Sequence, residues 1–224
     1  MSFNIAIDGP AGAGKSTIAK RVSKELGFLY VDTGAMYRAI AVYMLENGVD
    51  IRDDAAVKEA CGNISVDLGY EEGEQQVYLN GRNVTKLLRT EEVSRTASVT
   101  SAHPAVRAAL LDIQRDMAAK ENVLMDGRDI GTQVLPWAQL KIYLTASVQT
   151  RARRRFLEEQ AKGSPCSYEE IEKDIEERDE RDMSREIAPL KKAEDAVLVD
   201  SSHMTIDEVV EEIKKHYREV CRCE

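Results

Sequence analysis

The segment GPAGAGKST, residues 9–17, constrains the fold of this 224-residue chain more than any other part of it. Gly9, Gly14, Lys15 and Ser16 fit the pattern G-x-x-x-x-G-K-[ST]. A short apolar run, FNIAID, precedes the segment, and a stretch with helical periodicity follows it. A strand, a glycine-rich turn and a helix in this order are typical of a loop that binds the phosphates of a nucleoside triphosphate.

Each part of this loop has a physical role. Glycines let backbone N–H groups surround phosphate oxygens, and the helix N-terminus adds positive potential. We expect Lys15 to reach the β- and γ-phosphates and the Ser16 hydroxyl to ligate Mg²⁺. The expected ATP-binding residues of the loop are Gly9, Pro10, Ala11, Gly12, Ala13, Gly14, Lys15, Ser16 and Thr17.

Composition limits the class of protein. The net charge of −9 argues against general binding to nucleic acid or to a membrane surface. No apolar stretch approaches the roughly 20 residues of a membrane span, and the N-terminus lacks the pattern of a signal peptide. Cys61, Cys166, Cys221 and Cys223 are scattered, as is typical of reduced thiols. We expect a cytoplasmic monomer that acts on small molecules.

Apolar runs and helical patterns alternate along much of the chain. Strands are predicted at 3–8, 28–32, 122–127, 140–146 and 196–201, separated by helices. The last helix begins with a capping box formed by Thr205 and Glu208. Near-continuous apolar strands alternating with helices predict an α/β fold, a three-layer α/β/α arrangement with a five-stranded parallel sheet.

Two segments depart from this alternation. From about residue 64 to residue 101 the pattern indicates antiparallel strands, with Asn80-Gly81 as a two-residue turn. We predict a small lobe at 63–101, inserted into a core of 1–62 and 102–224. Residues 150–190 are predicted to form a lid of two charged helices joined by Gly163-Ser164-Pro165. Arg151 and Arg154, at its start, are either ATP contacts or solvated helix residues.

Polar residues follow two of the predicted strands. Thr33 and Arg38 come after the second strand, and MDGRDIGT, which contains Asp126, Arg128 and Asp129, ends the third. Open α/β sheets bind ligands outside the carboxyl ends of their strands, so these side chains could contact a phosphate acceptor. Asp126 could assist Mg²⁺, directly or through water. A helix cap with a surface arginine, and a turn rich in glycine and aspartate, are the simpler alternatives.

The charged run ERDERDMSR, residues 177–185, continues an apolar helix stripe. At helical spacing, Ile171 and Ile175 are followed by Arg178, Asp182 and Arg185, within an arc of about 60°. The same helix face is thus apolar for two turns and charged after that. Because a buried arginine needs an anionic partner, we expect an anion to bind at this face. The same spacing leaves Glu177, Asp179 and Glu180 facing water.

Taken together, these motifs resemble those of the bacterial cytidylate (CMP) kinases, a family of P-loop nucleoside monophosphate kinases. IDGPAGAGKST, VDTGAMYR, LRTEEVSRTAS, HPAVRAALLDIQR, DGRDIGT, ERDERDMSREIAPL and AVLVDSS agree in order and spacing over essentially the whole chain. The resemblance implies an enzyme that transfers the γ-phosphoryl of ATP to CMP or dCMP, with Mg²⁺, and implies that 63–101 is the CMP-binding lobe.

The resemblance also implies roles for individual residues. Ser98, Arg107 and Asp129 would read cytosine and the nearby ribose, with Thr33 near the base. Arg178 and Asp182 would hold the sugar, and Arg38, Arg128 and Arg185 would grip the acceptor phosphate. Lys15, Arg128 and Arg185 would be the catalytic residues, with Arg154 an additional contact to ATP.

Two other functions are compatible with the phosphate-binding loop. One is a sibling P-loop kinase that acts on UMP or another small phosphate acceptor. The other is a nucleotide-dependent switch ATPase, against which stand the absence of an N-K-x-D guanine motif and the many arginines beyond the loop.

Overall fold

The computed structural model describes residues 2–163 and 165–223. The helices and strands follow in this order: β1 (Asn4–Asp8), α1 (Lys15–Leu26), β2 (Leu29–Asp32), α2 (Thr33–Glu46), α3 (Asp54–Cys61), β3 (Val66–Glu71), β4 (Glu74–Leu79), β5 (Arg82–Asn83), α4 (Glu91–Thr100), α5 (Pro104–Lys120), β6 (Val123–Gly127), β7 (Leu140–Thr145), α6 (Val148–Ala161), α7 (Tyr168–Ser184), β8 (Val197–Asp200) and α8 (Ile206–Cys223). A 3₁₀ turn spans Thr85–Leu87 and a π-helical turn spans Ile130–Val134. Among the described residues no helix combines the length and the hydropathy that a membrane span requires.

The chain divides into two compact units. We call residues 2–30 and 122–224 the core unit, and residues 31–121 the intervening unit. The intervening unit is wider than the predicted lobe at 63–101, because it also contains α2, α3 and α5. The assignment of 63–101 as the CMP-binding lobe stays a prediction.

The predicted five-stranded parallel sheet is confirmed. Its strand order is β2-β6-β1-β7-β8. β1 pairs in parallel with both β6 and β7, and all five of its residues are buried, which explains its uninterrupted apolar sequence. The carboxyl end of β1 leads directly into the glycine-rich loop, and β6 ends beside it, with Ile7 opposite Asp126. The sheet therefore brings two predicted site segments to one edge.

Helices α1 and α8 cover the core sheet with apolar stripes. Ile18 and Val22 of α1 and Val209 and Ile213 of α8 belong to one buried cluster with the strand residues. The predicted capping box of α8 is confirmed, since the Thr205 backbone N–H donates to the Glu208 carboxylate at 2.8 Å. In return the Glu208 N–H donates to the Thr205 hydroxyl at 3.2 Å.

In the intervening unit, the predicted antiparallel strands and turn are confirmed between residues 66 and 83. β3, β4 and β5 form a three-stranded sheet. Asn80 and Gly81 have φ values of 48° and 78°, as expected for a two-residue turn of this kind. Glu72 and Gly73, with φ values of 51° and 81°, form a second such turn between β3 and β4, which was not predicted.

The prediction of strands as far as residue 101 is wrong beyond β5, because residues 91–100 form α4. The Thr90 hydroxyl accepts a hydrogen bond from the Val93 N–H at 3.2 Å and caps this helix. Val93, Thr96, Ala97 and Thr100 are buried, at the three- and four-residue spacing of a helix face.

The two charged helices predicted within residues 150–190 are confirmed as α6 and α7. Ser167 caps α7 by accepting from the Glu170 N–H at 3.4 Å. Ile171 and Ile175 pack with Ala152 of α6 in a small apolar cluster. Ser164, in the middle of the predicted connection, lies outside the described residues.

Candidate active site

The glycine-rich loop of the core unit requires glycine at its first position. A Cβ atom on Gly9 would lie 1.9 Å from the carbonyl oxygen of Leu144, which is backbone and cannot move aside cheaply. Gly14, at the N-terminus of α1, has φ 87° and carries no side chain that could cap the helix. The N-terminus of α1 thus has no side-chain cap, and its first N–H groups could donate to an anion such as phosphate.

Lys15 points into its own loop. Its Nζ donates to the carbonyl oxygens of Gly9 and Pro10, both at 2.7 Å, and its side chain is buried. Burial lowers the pKa of Lys15 well below its ordinary value, and the positive charge of Arg128 lowers it further. The carboxylates of Asp126 and Asp8 oppose this shift. A negatively charged phosphate at the loop would favour the protonated amine in the same way.

Ser16 and Asp126 are joined by a hydrogen bond beside the loop. The Ser16 hydroxyl donates to Oδ2 of Asp126 at 3.0 Å, and the Tyr30 hydroxyl donates to Oδ1 at 3.0 Å. Asp126 is buried at the end of β6. A hydroxyl and a carboxylate in contact are hard oxygen donors of the kind that Mg²⁺ prefers, so these residues fit that ion.

Asp8 connects the end of β1 to the segment that follows β6. Its two carboxylate oxygens accept backbone hydrogen bonds from Ile130 at 2.8 Å and from Gly131 at 2.7 Å. Burial raises the pKa of Asp8 to about 7, although these two N–H groups act in the opposite direction. These contacts hold the backbone directly after Asp129, so Asp8 helps to fix the position of Asp129.

Asp182 of α7 lies at the centre of an arginine cluster. It is 1% exposed, accepts a 3.0 Å hydrogen bond from Nε of Arg128, and is also bonded to Arg185. Burial alone would raise the pKa of Asp182, but the charges of Arg128, Arg185 and Arg178 outweigh it and lower the pKa overall. We call Arg128, Arg178, Asp182 and Arg185 the arginine cluster.

The prediction that the apolar face of α7 continues as a charged, inward face is confirmed. Asp182 is buried and Arg178 is partly buried, after the buried Ile171 and Ile175. Arg185 is also partly buried, but it follows the last residue of α7 and is not part of the helix face. The roles of these three charged residues toward a substrate stay predictions.

The prediction for the opposite face of α7 is confirmed for Glu177 and Glu180, which are exposed, and is wrong for Asp179. Asp179 is 7% exposed and accepts a 2.6 Å hydrogen bond from Nη2 of Arg151. The partner lies on α6, and the helical spacing of α7 alone could not indicate it.

The two arginines predicted at the start of the lid lie beside the glycine-rich loop. Arg151 is 3% exposed, so its interpretation as a solvated residue is wrong. Arg154 donates from Nη1 and Nη2 to the hydroxyl and the carbonyl of Ser201, at 3.2 and 2.7 Å. Its Nη1 is 4.0 Å from the position that a Cβ on Gly14 would occupy. A contact between Arg154 and ATP stays a prediction.

In the intervening unit, Thr33 and Arg38 lie on α2. Thr33 is its first residue and is buried, but the helix cap is Asp32, which accepts from the Ala35 N–H at 2.9 Å. Asp32 also accepts a 3.1 Å hydrogen bond from Nη2 of Arg38. Nε of Arg38 is buried, with no hydrogen-bond partner among the described residues. Arg38 thus retains a donor that a phosphate oxygen could satisfy.

Ser98 and Arg107 lie on α4 and α5 of the same unit. Ser98 is buried, while Arg107 donates to the Ser101 carbonyl at 3.3 Å and lies 5.8 Å from the centre of the Tyr37 ring. Asp129, the third predicted base-reading residue, is buried in the core unit. The recognition of one base by these three residues stays a prediction.

Asp8, Tyr30 and Asp179 also contact residues at or next to the site and were not among the predicted site residues. Asp8 could have been found, because it is a charged residue at the end of a buried strand and directly precedes Gly9. Tyr30 and Asp179 carry no such local signal, since their partners Asp126 and Arg151 are distant in sequence.

Comparisons with known proteins give matches over nearly the full length of the chain. A family model described as "Cytidylate kinase" matches residues 5–219. The cytidylate kinase of Lactobacillus johnsonii is 50% identical over 211 residues, which cover 94% of this chain and 92% of the relative. The cytidylate kinase of Shouchella clausii is 49% identical over 221 residues, covering 97% of this chain and 98% of the relative.

A solved structure of an uncharacterized protein from Eubacterium ventriosum shares the fold, with a TM-score of 0.50 and 12% identity over 96% of this chain and 98% of that one. A similarity at this identity concerns the fold alone. The family model and the relatives extend over nearly the full length, and on that ground the chain belongs to the cytidylate kinase family.

Proposed function

We propose that the chain transfers the γ-phosphoryl group of ATP to CMP or dCMP, giving ADP and CDP or dCDP. The observation that carries this proposal is the position of the arginine cluster in the same unit as the glycine-rich loop. Arg128 and Arg178 are close enough to Lys15 for their charges to lower its pKa, burial being the larger cause. A cluster of cations beside a triphosphate loop is suited to a second phosphate-bearing substrate.

On the donor side, the glycine-rich loop would hold the phosphates of ATP through backbone N–H groups, and Lys15 would exchange its carbonyl partners for phosphate oxygens. Ser16, with Asp126 next to it, would hold Mg²⁺. That ion, when bound, neutralises charge on the transferred phosphoryl group. Arg154, beside Gly14, would be a further contact to ATP.

On the acceptor side, Arg128 and Arg185 would grip the phosphate of CMP. Both are bonded to Asp182. An acceptor phosphate would compete with this carboxylate for them, and Asp182 with Arg178 would then hold the sugar. Arg38, whose buried Nε has no partner among the described residues, would add a further phosphate contact.

Cytosine recognition would depend on Ser98, Arg107 and Asp129. Cytosine offers an amino donor and two acceptors, which suit a carboxylate and an arginine or hydroxyl respectively. Such a site rejects bases that leave its polar groups unpaired. Thr33, buried at the start of α2, would complete the pocket near the base.

The reaction needs little covalent chemistry from the protein. The attacking group is an anionic phosphate oxygen, so no general base is required. The protein positions the two substrates in line and neutralises charge with Lys15, Arg128 and Arg185. Closure of α6 and α7 would exclude water and so prevent hydrolysis of ATP.

The test is ADP formation from ATP with CMP, dCMP, UMP, AMP or no added acceptor. We expect turnover to depend on the acceptor and kcat/KM to be highest with CMP or dCMP. Highest kcat/KM with UMP or AMP would indicate a sibling kinase, and equal turnover without acceptor would indicate an ATPase.

A further inference from the structure

Arg151, on the first turn of α6, joins three parts of the core unit. Its Nε donates to the carbonyl of Ala146, just after β7, at 2.9 Å. Its Nη1 donates to the carbonyl of Ala11 in the glycine-rich loop at 2.9 Å, and its Nη2 donates to Asp179 of α7 at 2.6 Å. The sheet edge, the loop and the lid helix therefore meet at one buried guanidinium group.

Arg151 supplies the counter-charge of the buried Asp179 carboxylate. Its Oδ1 is buried and, among the described residues, accepts no hydrogen bond. Arg151 is also its one ion-pair partner in the described part of the chain. A buried charge that loses its partner is strongly destabilised, so the position of α7 at Asp179 is tied to Arg151.

The pair lies between two different contacts of α7. One turn earlier, Ile175 packs in the apolar cluster with Ala152 of α6. Three residues later, Asp182 binds Arg128 and Arg185. Along α7, Asp179 therefore lies between Ile175, which packs against α6, and Asp182, which is proposed to contact the acceptor.

Arg151 is oriented by the protein itself. Nε, Nη1 and Nη2 all donate to protein acceptors, and its Cβ is 3.4 Å from the position of a Cβ on Gly12. Three of its five N–H groups thus donate to the protein, which fixes the position and the plane of the guanidinium group.

We propose that Arg151 and Asp179 are positioning residues, whose buried ion pair fixes α7, and with it Arg178 and Asp182, on the glycine-rich loop. This inference rests on the proposed kinase function. Asp179 acts on the acceptor side only, through α7. Arg151 acts on both sides, because it also holds the Ala11 carbonyl.

The test uses Asp179→Asn, Arg151→Met and the double variant, with Glu177→Gln as a matched control. Glu177 lies on the exposed face of the same helix, with Lys173 at 3.7 Å. We expect Asp179→Asn to reduce kcat/KM for CMP by about 10²-fold, a loss typical of misplaced catalytic groups. Its Kd for ATP, measured without CMP, should change little. Arg151→Met should weaken ATP binding as well, and Glu177→Gln should match the wild type.

The double variant tests whether the two residues act as a pair. We expect it to lose no more kcat/KM for CMP than Arg151→Met alone, because residues that act through one contact are not additive. Additive losses would overturn the proposal. So would an Asp179→Asn variant with a lower Tm but wild-type kcat and KM, since the pair would then serve stability alone. If Asp179→Asn does not fold, Asp179→Glu should show a smaller loss in the same direction.

The wild type separates failure of the pair from failure of the proposed function. Wild-type protein that does not phosphorylate CMP refutes the proposed function. In that case amide hydrogen exchange across residues 168–184 still tests the pair. Faster exchange in both single variants, with no further increase in the double variant, supports it, and unchanged exchange overturns it.

Discussion

Ser16 and Asp126, 110 residues apart in sequence, are joined by a 3.0 Å hydrogen bond from the Ser16 hydroxyl to Oδ2 of Asp126. The pairing of β1 with β6 creates this contact, because it brings the glycine-rich loop and the end of β6 to the same edge of the sheet. The fold thus places side by side two oxygen atoms of the kind that Mg²⁺ prefers.

Asp126→Asn should raise the Mg²⁺ concentration needed for half-maximal activity by about 10-fold or more, a loss typical of residues that support a metal site. The reason is the loss of a negative charge beside Ser16. Steady-state rates over a Mg²⁺ titration measure the effect. Tyr30→Phe, which removes the hydrogen bond to the other carboxylate oxygen but no charge, should have a smaller effect. An unchanged Mg²⁺ dependence in Asp126→Asn would contradict the assignment.

Gly9→Ala should abolish tight ATP binding and destabilise the protein by about 1–3 kcal/mol, since its Cβ would collide with the Leu144 carbonyl oxygen. Isothermal titration with ATP and thermal unfolding measure the two effects. Gly27→Ala is the control, because Gly27 has φ 71° but no neighbouring atom within 4 Å. It should lose about 1 kcal/mol of stability through its backbone alone and keep its ATP affinity. Equal ATP affinities in the two variants would show that the close approach does not shape the loop.

Asp129→Ala should raise KM for CMP far more than KM for ATP, because Asp129 is proposed to accept a hydrogen bond from the cytosine amino group. Initial rates with each substrate varied in turn provide the comparison. Asp129 is the residue before the π-helical turn held by Asp8, so thermal unfolding should accompany the kinetics. Equal increases in both KM values would refute a role in reading the base.

Stability should depend on pH through Asp8. Burial raises its pKa to about 7 in the folded protein, from 3.8. Between these values the folded state binds more protons than the unfolded state, so this contribution to stability is present below pH 3.8 and is lost as pH rises toward 7. We expect the wild type to lose about 1 kcal/mol per pH unit relative to Asp8→Asn, or ~2–4 °C in Tm. A constant Tm difference between pH 5 and pH 8 would contradict the raised pKa.

The sequence predicts those parts of the fold that depend on local pattern. Each apolar run became a parallel strand within one or two residues of its expected bounds, and Asn80-Gly81 formed the expected turn. Residues 91–100 form α4 instead of the predicted strand, although β-branched residues such as Val93, Thr96 and Val99 have low helix propensity. Burial of one face in the intervening unit overrides that propensity.

The candidate site shows the same limit. The helical spacing of α7 correctly predicted that Asp182 faces inward, but it wrongly predicted that Asp179 is exposed to solvent. The periodicity of a helix predicts which side chains share a face, but it does not predict the ion-pair partner that a neighbouring helix supplies. Arg151, the partner, lies 28 residues earlier on another helix. The packing of α6 against α7 is needed to bring the two together.

The most direct test of the proposed activity follows the transferred group itself. The protein is incubated with Mg²⁺, CMP and ATP that carries a labelled γ-phosphoryl group, and the labelled products are separated. We predict that the label appears in CDP, as its terminal phosphoryl group. Label that appears instead in inorganic phosphate, at the same rate with and without CMP, would contradict the account.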